Sequence, residues 1–105
     1  MDDYGINEIK AANEAAGRFF FSDATMRFFD SEVEPDTWCG PGGVYFVTSE
    51  RFDETTPRCW TVRQFYPLSG EVSTVGGFQA YLKREDAEKA AGLLSAGSAE
   101  VLEEE

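Results

Sequence analysis

Histidine is absent from this 105-residue sequence, and basic residues are few: nine lysines and arginines stand against twenty aspartates and glutamates. Histidine is the commonest general base and the commonest metal ligand in proteins, so its absence argues against most hydrolase and metalloenzyme mechanisms. We therefore expect no catalytic residues, no metal site and no cofactor. The sequence is interpreted as a non-enzymatic protein.

Long apolar runs and cysteines are also scarce. No apolar run approaches the ~20 residues that a membrane-spanning helix needs, and the first ten residues, MDDYGINEIK, are acidic where a secretory signal is basic. Both features predict a cytoplasmic protein with no membrane partner. In that compartment the two thiols, Cys39 and Cys59, are more often reduced and partly buried than joined in a disulfide.

The hydrophobic content is high enough for a folded chain despite the acidity. Hydrophobic residues make up 42% and aromatic residues 14% of the sequence, whereas its formal net charge is -11. Intrinsically disordered chains combine high net charge with low hydrophobicity, which excludes that class. The length predicts one domain over residues 1–105, with a frayed tail at about 98–105.

Three segments have the apolar spacing of helices. In INEIKAANEAA, residues 6–16, apolar positions recur every three or four residues, and Gly17 follows where a helix ends. Ser22 can cap a short second helix over about residues 23–30. In the last third, Ala87, Ala90, Ala91 and Leu94 have helical spacing and predict a helix that ends near Gly97.

Between these helices the pattern changes to alternation. The segment EPDTWCGPGG is rich in proline and glycine and predicts a loop. Residues 44–52, 58–66 and 71–76 alternate in β-branched and aromatic residues and predict strands, the last two joined by a tight turn at PLSG. The predicted fold class is α+β: two N-terminal helices, a three-stranded antiparallel meander and a C-terminal helix.

Four phrases carry a resemblance to a known family. With FFFSDATMRFF, VYFVTSERF, WTVRQFYPLSGEVSTVGGFQAY and REDAEKAA, in that order, the chain resembles a family of small uncharacterised proteins of bacteriophages and their actinobacterial hosts over roughly residues 6–92. The resemblance implies a shared fold and no assigned chemistry. Where the family is expected to follow its RFF phrase with a serine and a basic residue, this chain has Asp30, Ser31 and Glu32.

Acidic residues are concentrated in the N-terminal half, where residues 1–57 carry twelve acidic and four basic side chains. Asp30, Glu32, Glu34 and Asp36 occupy every second position. If this segment is extended, the four side chains share one face at a step of ~6.6 Å, comparable with the spacing of phosphates along a nucleic-acid strand. The segment is then either a phosphate-mimicking edge for a basic groove or a solvated acidic loop that keeps the protein soluble.

Other residues support different interpretations. Trp38, just beyond the acidic run, either caps the edge of the core or anchors a protein partner. Arg51, Arg58 and Arg63 with Trp60 interleave basic and aromatic side chains on the predicted sheet, an arrangement that can stack bases and contact phosphates. The net charge of -11 opposes that direct binding to nucleic acid.

These observations lead to one main hypothesis and two alternatives. The main hypothesis is a small acidic phage-type interaction protein that binds and inhibits a host nucleic-acid-processing or defence complex with a basic surface, in the manner of anti-restriction or anti-CRISPR proteins that mimic nucleic acid. Its predicted contacts are Asp30, Glu32, Glu34, Asp36 and Trp38. The alternatives are a nucleic-acid-binding or regulatory module that uses the sheet face, and a structural or assembly partner that associates through exposed aromatic side chains.

Overall fold

The computed structural model describes residues 4–22, 26, 31–51, 55–77 and 79–97. Its elements are α1 (Ile6–Ala15), β1 (Glu32–Gly40), β2 (Gly43–Glu50), β3 (Cys59–Tyr66), β4 (Glu71–Val75) and α2 (Arg84–Ser95). The four strands form one antiparallel sheet in the order β1-β2-β3-β4, so β1 and β4 are its edges. The predicted α+β class is confirmed, and neither described helix is long and apolar enough to cross a membrane.

The predicted arrangement within that class is wrong, because the sheet has four strands and not three. Residues 32–40, most of which were predicted to be a loop, form the edge strand β1. Pro35 is tolerated there because the register with β2 shifts between Val33 and Thr37, and an edge strand can lose one backbone donor at such an irregularity. A proline-containing segment was therefore misread as irregular structure.

The described residues contain one helix before the sheet and one after it. The predicted helices over residues 6–16 and in the last third are present as α1 and α2. The predicted short helix over 23–30 lies outside the described residues apart from Met26, as does the predicted frayed tail at 98–105.

The predicted alternation along the two central strands is confirmed by the core. On one side of the sheet, called here the α2 face, Tyr45 and Val47 of β2 and Val62 of β3 are buried against the alanines of α2. Small side chains let α2 lie close to the sheet, so that the large residues of β2 and β3 fill the space between them.

The opposite side, the α1 face, holds a second apolar cluster. Phe46 and Phe65 are buried there against Ile9 of α1. Asn13 of α1 is also buried and joins three segments, because its side-chain amide donates to the carbonyl of Gly70 at 2.8 Å and accepts from the backbone N–H of Phe20 at 2.7 Å. Both faces of the two central strands, β2 and β3, are therefore covered.

The glycine-rich turn between β1 and β2 packs against the C-terminal end of α2. The backbone N–H of Gly42 donates to the carbonyl oxygen of Ser95 at 2.8 Å. A Cβ atom on Gly40 would lie 2.3 Å from that oxygen, and one on Gly42 would lie 2.0 Å from the carbonyl oxygen of Leu94. Only glycine permits this approach, because any side chain would collide with the end of α2. These glycines therefore let the backbone of the turn contact the backbone of α2.

Candidate binding surface

The described part of the acidic run is extended and lies in an outer strand of the sheet. Glu32, Glu34 and Asp36 all belong to β1, whereas Asp30 lies outside the described residues. We call the three described carboxylates, Glu32, Glu34 and Asp36, the acidic edge. The three carboxylates differ in exposure and in the ion pairs that they form. These differences decide which of them are accessible to another molecule.

The carboxylate of Glu34 is mostly buried and forms an ion pair within the protein. Its side chain is only 13% exposed, and its carboxylate lies 2.8 Å from Nε of Arg84 at the start of α2. Arg84 is also 3.0 Å from Glu88 one turn further along the helix. The hydrogen bond to Glu88, and then the charge of Glu34, raise the pKa of Arg84 above its usual value. Glu34 thus helps to fasten α2 to β1.

Glu32 and Asp36 are the exposed members of the acidic edge. The side chain of Glu32 is 68% exposed, and its carboxylate is 3.8 Å from Nη2 of Arg58, which is the outer limit of an ion pair. Asp36 is exposed next to Pro35, and its charge also raises the pKa of Arg84. Exposed ion pairs contribute ~0–1 kcal/mol, so Glu32 can exchange Arg58 for another cation at little cost.

Trp38 lies at the margin of the core. It is partly buried and packs against the apolar cluster of the α2 face, and its indole ring lies beside Gly92 of α2. With Thr37, Cys39 and Ser95 it lines a shallow cavity of about 390 Å³. The sequence left open whether Trp38 caps the core edge or anchors a partner, and these contacts correspond to the first role.

The charge of the described residues is more balanced than the total for the sequence indicates. The described residues contain ten acidic and eight basic side chains, out of twenty and nine in the whole chain. Most of the excess negative charge is therefore in segments outside the described residues. Within the described ranges, Glu32 and Asp36 are two of the few carboxylates that are exposed on a strand.

The basic and aromatic residues of the alternative hypothesis are mostly engaged within the fold. Arg58 donates from Nη1 to the hydroxyl of Ser49 at 2.9 Å. Trp60 packs in the cluster of the α2 face, and its backbone pairs with that of Tyr81. Arg51 follows β2 and is partly buried. These residues do not form an open basic surface.

Arg63 forms a buried ion pair that the sequence alone did not reveal. Its guanidinium lies 3.2 Å from the carboxylate of Glu50, and their side chains are 10% and 1% exposed. Arg63 also donates to the hydroxyl of Thr48 at 3.0 Å, and Thr61 donates to Glu50 at 2.8 Å. Phe20 covers the group, with its ring centre 5.2 Å from the guanidinium carbon.

Burial has a direct electrostatic effect on this arginine. Removal from water lowers the pKa of Arg63 below its usual value, while the charge and hydrogen bond of Glu50 act in the opposite direction. The surrounding hydroxyl groups satisfy polar atoms that would otherwise be unpaired in the interior. The pair therefore acts as an internal connection between β2 and β3.

Within the described ranges, no cluster of three or more histidine, cysteine, aspartate or glutamate side chains could hold a metal ion. Cys39 and Cys59 are both free thiols and partly buried. The sulfur of Cys39 accepts a hydrogen bond from the backbone N–H of Tyr4 at 3.3 Å. The described residues form a small α+β protein, and the functional groups on its surface that we single out are charged side chains.

Comparison with known proteins places the chain in a family. Residues 5–92 match the model of a family of unknown function, DUF7447, and the protein belongs to that family. This confirms the expected membership of an uncharacterised family. No curated protein and no solved structure matches the chain.

Proposed function

We propose that this protein is a small interaction protein of bacteriophage type that binds and inhibits a nucleic-acid-processing or defence complex of its host. The proposed contact is the acidic edge, in which Glu32 and Asp36 meet lysine or arginine side chains that line a groove for nucleic acid. Action on such a complex takes place in the host cytoplasm. The inhibitor belongs to the same functional class as anti-restriction and anti-CRISPR proteins.

One observation carries the proposal: the alternating carboxylates lie on an extended edge strand, with Glu32 and Asp36 exposed at either side of Pro35. Alternate residues of an extended strand are ~6.6 Å apart, so Glu32 and Asp36, four residues apart with the register shift of β1 between them, are separated by about two phosphate steps. An edge position leaves these side chains accessible to a large partner. Glu34 between them holds the strand against α2 and so fixes their position.

The overall charge supports the same mode of binding. A formal net charge of -11 creates a negative potential that accelerates encounter with a basic surface. Acidic residues outside the described segments add to this long-range attraction, while the acidic edge supplies the short-range contacts. The association is therefore expected to weaken as the salt concentration rises.

The geometry favours this function over direct binding of nucleic acid by the sheet. Arg63 is held by Glu50 in the interior, and Trp60 packs against the core of the α2 face. A single-strand binding surface requires aromatic rings and cations that reach the solvent together. The acidic edge offers accessible groups of the opposite charge.

A comparison of two charge-matched variants tests the proposal. The first is Glu32→Gln with Asp36→Asn, and the second is Glu8→Gln with Glu14→Gln, which removes two exposed carboxylates from α1 instead. Each purified variant and the wild type are used to capture proteins from host lysate at two salt concentrations, with identification by mass spectrometry. We expect a nucleic-acid enzyme to bind the wild type and the α1 variant and to be lost from the β1 variant.

The proposal is wrong if the captured proteins do not differ between the two variants, or if no nucleic-acid enzyme is captured. The first result would mean that the carboxylates of β1 only increase solubility. Circular dichroism of both variants serves as the control for folding.

A further inference from the structure

The two edges of the sheet are protected to very different extents. An exposed edge strand presents unpaired backbone N–H and C=O groups, and proteins usually block it with proline, charge or an irregular register. β1 has all three: Pro35, the acidic edge, and the register shift between Val33 and Thr37. An added strand therefore meets obstacles along β1.

β4 has none of these devices except a single charge. Its sequence, EVSTV, contains no proline, and its pairing with β3 is regular from Tyr66↔Glu71 to Val62↔Val75. Within the part of the chain that the structure describes, β3 is the only strand that pairs with β4. No backbone hydrogen bond joins residues 71–75 to any other described element. Among the described residues, β4 is thus an open edge with regular pairing.

The side chains of β4 are held in place on both faces. The hydroxyl of Ser73 donates to the hydroxyl of Tyr66 at 3.2 Å, and the hydroxyl of Thr74 accepts from Arg63 of the buried ion pair. A strand fixed in this way presents its backbone groups in a set geometry before binding. Such preorganisation reduces the conformational entropy that β4 itself loses on binding.

Exposed apolar side chains lie next to the start of β4. Leu68, in the turn that leads into the strand, is fully exposed, and Tyr66, which pairs with Glu71, is 38% exposed. In strand addition the backbone hydrogen bonds supply affinity, and neighbouring side chains supply specificity. Tyr66 and Leu68 can cover one end of a docked strand.

We propose that β4 is a docking edge for an extended, lysine- or arginine-containing segment of a partner protein, which joins the sheet as a fifth strand. Charge selects this occupant. The net charge of -11 repels a second copy of the chain and attracts a basic segment. The one charge within β4 is that of Glu71, whose side chain is 51% exposed and lies 3.0 Å from the guanidinium of Arg18, which is itself 47% exposed. Exposed ion pairs stabilise a fold only weakly, so a cation of the partner can replace Arg18 at little cost. This inference does not depend on the contact proposed for the acidic edge.

The test uses the full chain and three synthetic peptides of seven residues. The first alternates threonine with lysine, the second has the same sequence but is N-methylated at alternate residues, and the third replaces each lysine with glutamate. Affinity is measured by titration, and amide hydrogen exchange locates the bound peptide.

We expect the lysine peptide to bind, to slow exchange in residues 71–75 at least tenfold, and to bind more weakly in high salt. We also expect N-methylation and the glutamate replacement each to reduce affinity at least tenfold.

Several results would overturn the inference. Equal affinity for the lysine peptide and its N-methylated form would show attraction by charge alone. Protection in β1 and not in β4 would place the binding site on the other edge. Concentration-dependent dimerisation with protection of β4 would make a second copy the occupant. The variant Glu32→Gln with Asp36→Asn should bind the lysine peptide within twofold of wild type, which separates this site from the acidic edge.

Discussion

The guanidinium of Arg63 in β3 lies 3.2 Å from the carboxylate of Glu50 in β2, and neither side chain is more than 10% exposed. Removing two charges from water is costly, and their attraction offsets this cost only when the remaining polar atoms are also satisfied. Here Thr48 and Thr61 provide hydrogen bonds to the pair. The ion pair also favours the observed register between β2 and β3, because sliding one strand along the other would separate the two charges.

Breaking this pair on one side should be more harmful than removing both charges. We expect Arg63→Met to destabilise the protein by ~3–5 kcal/mol, because Glu50 would remain buried without its partner. The double variant Glu50→Leu with Arg63→Met should recover part of that loss, since no isolated charge is left. Urea unfolding of the wild type, both single variants and the double variant measures the coupling. Additive effects of the two single changes would contradict the account.

The glycines of the β1–β2 turn provide a second prediction. Gly40→Ala should destabilise the protein by ~1–3 kcal/mol, because the new methyl group would lie 2.3 Å from the carbonyl oxygen of Ser95. Gly92→Ala is the matched control: its methyl group would lie 3.5 Å from Trp38 in ordinary contact, within a helix. That change should stabilise the protein by up to ~1 kcal/mol. Thermal unfolding of both variants is the measurement, and equal destabilisation would refute the proposed backbone contact.

Alkaline pH should weaken the fold through Tyr45. Burial, and then the charge of Tyr66, raise the pKa of Tyr45 above its ordinary value of 10.0. A folded-state pKa above the unfolded one means that the neutral form is favoured by folding. This contribution is complete below pH 10.0 and is lost as the pH rises towards the folded-state pKa.

Comparison with Tyr45→Phe isolates this effect. The variant loses the hydrogen bond that the Tyr45 hydroxyl donates to the carbonyl of Gly42 at 2.9 Å, which lowers its stability at neutral pH by ~1 kcal/mol. Its stability should fall less steeply above about pH 10 than that of the wild type. Urea unfolding at several pH values gives both curves. Parallel curves would show that Tyr45 makes no alkaline contribution.

Local sequence patterns predicted the helices and strands in which apolar and polar residues recur at regular intervals. Alternation along residues 44–52 predicted a strand, and the structure buries Phe46 on one face of that strand and Val47 on the other. Helical spacing identified the alanines of α2, which are buried against the sheet. These patterns work because each side chain is sorted between core and solvent by its own polarity.

The elements that were missed depend on contacts between distant residues. Pro35 and the glycines near Gly40 suggested a loop, yet an irregular register accommodates the proline and the end of α2 accounts for the glycines. The pairing of Glu50 with Arg63 and of Glu34 with Arg84 likewise follows from strand register and helix docking. No local pattern contains that information.

The most direct test of the proposed function is the survival of invading DNA in bacterial cells that carry an active restriction or CRISPR system. Cells express the wild type, the variant Glu32→Gln with Asp36→Asn, or the charge-matched control Glu8→Gln with Glu14→Gln, and transformation by a targeted plasmid is counted. We predict that the wild type and the control raise plasmid survival, and that the β1 variant loses at least tenfold of this protection. No protection by the wild type, or equal protection by both variants, would contradict inhibition through the acidic edge.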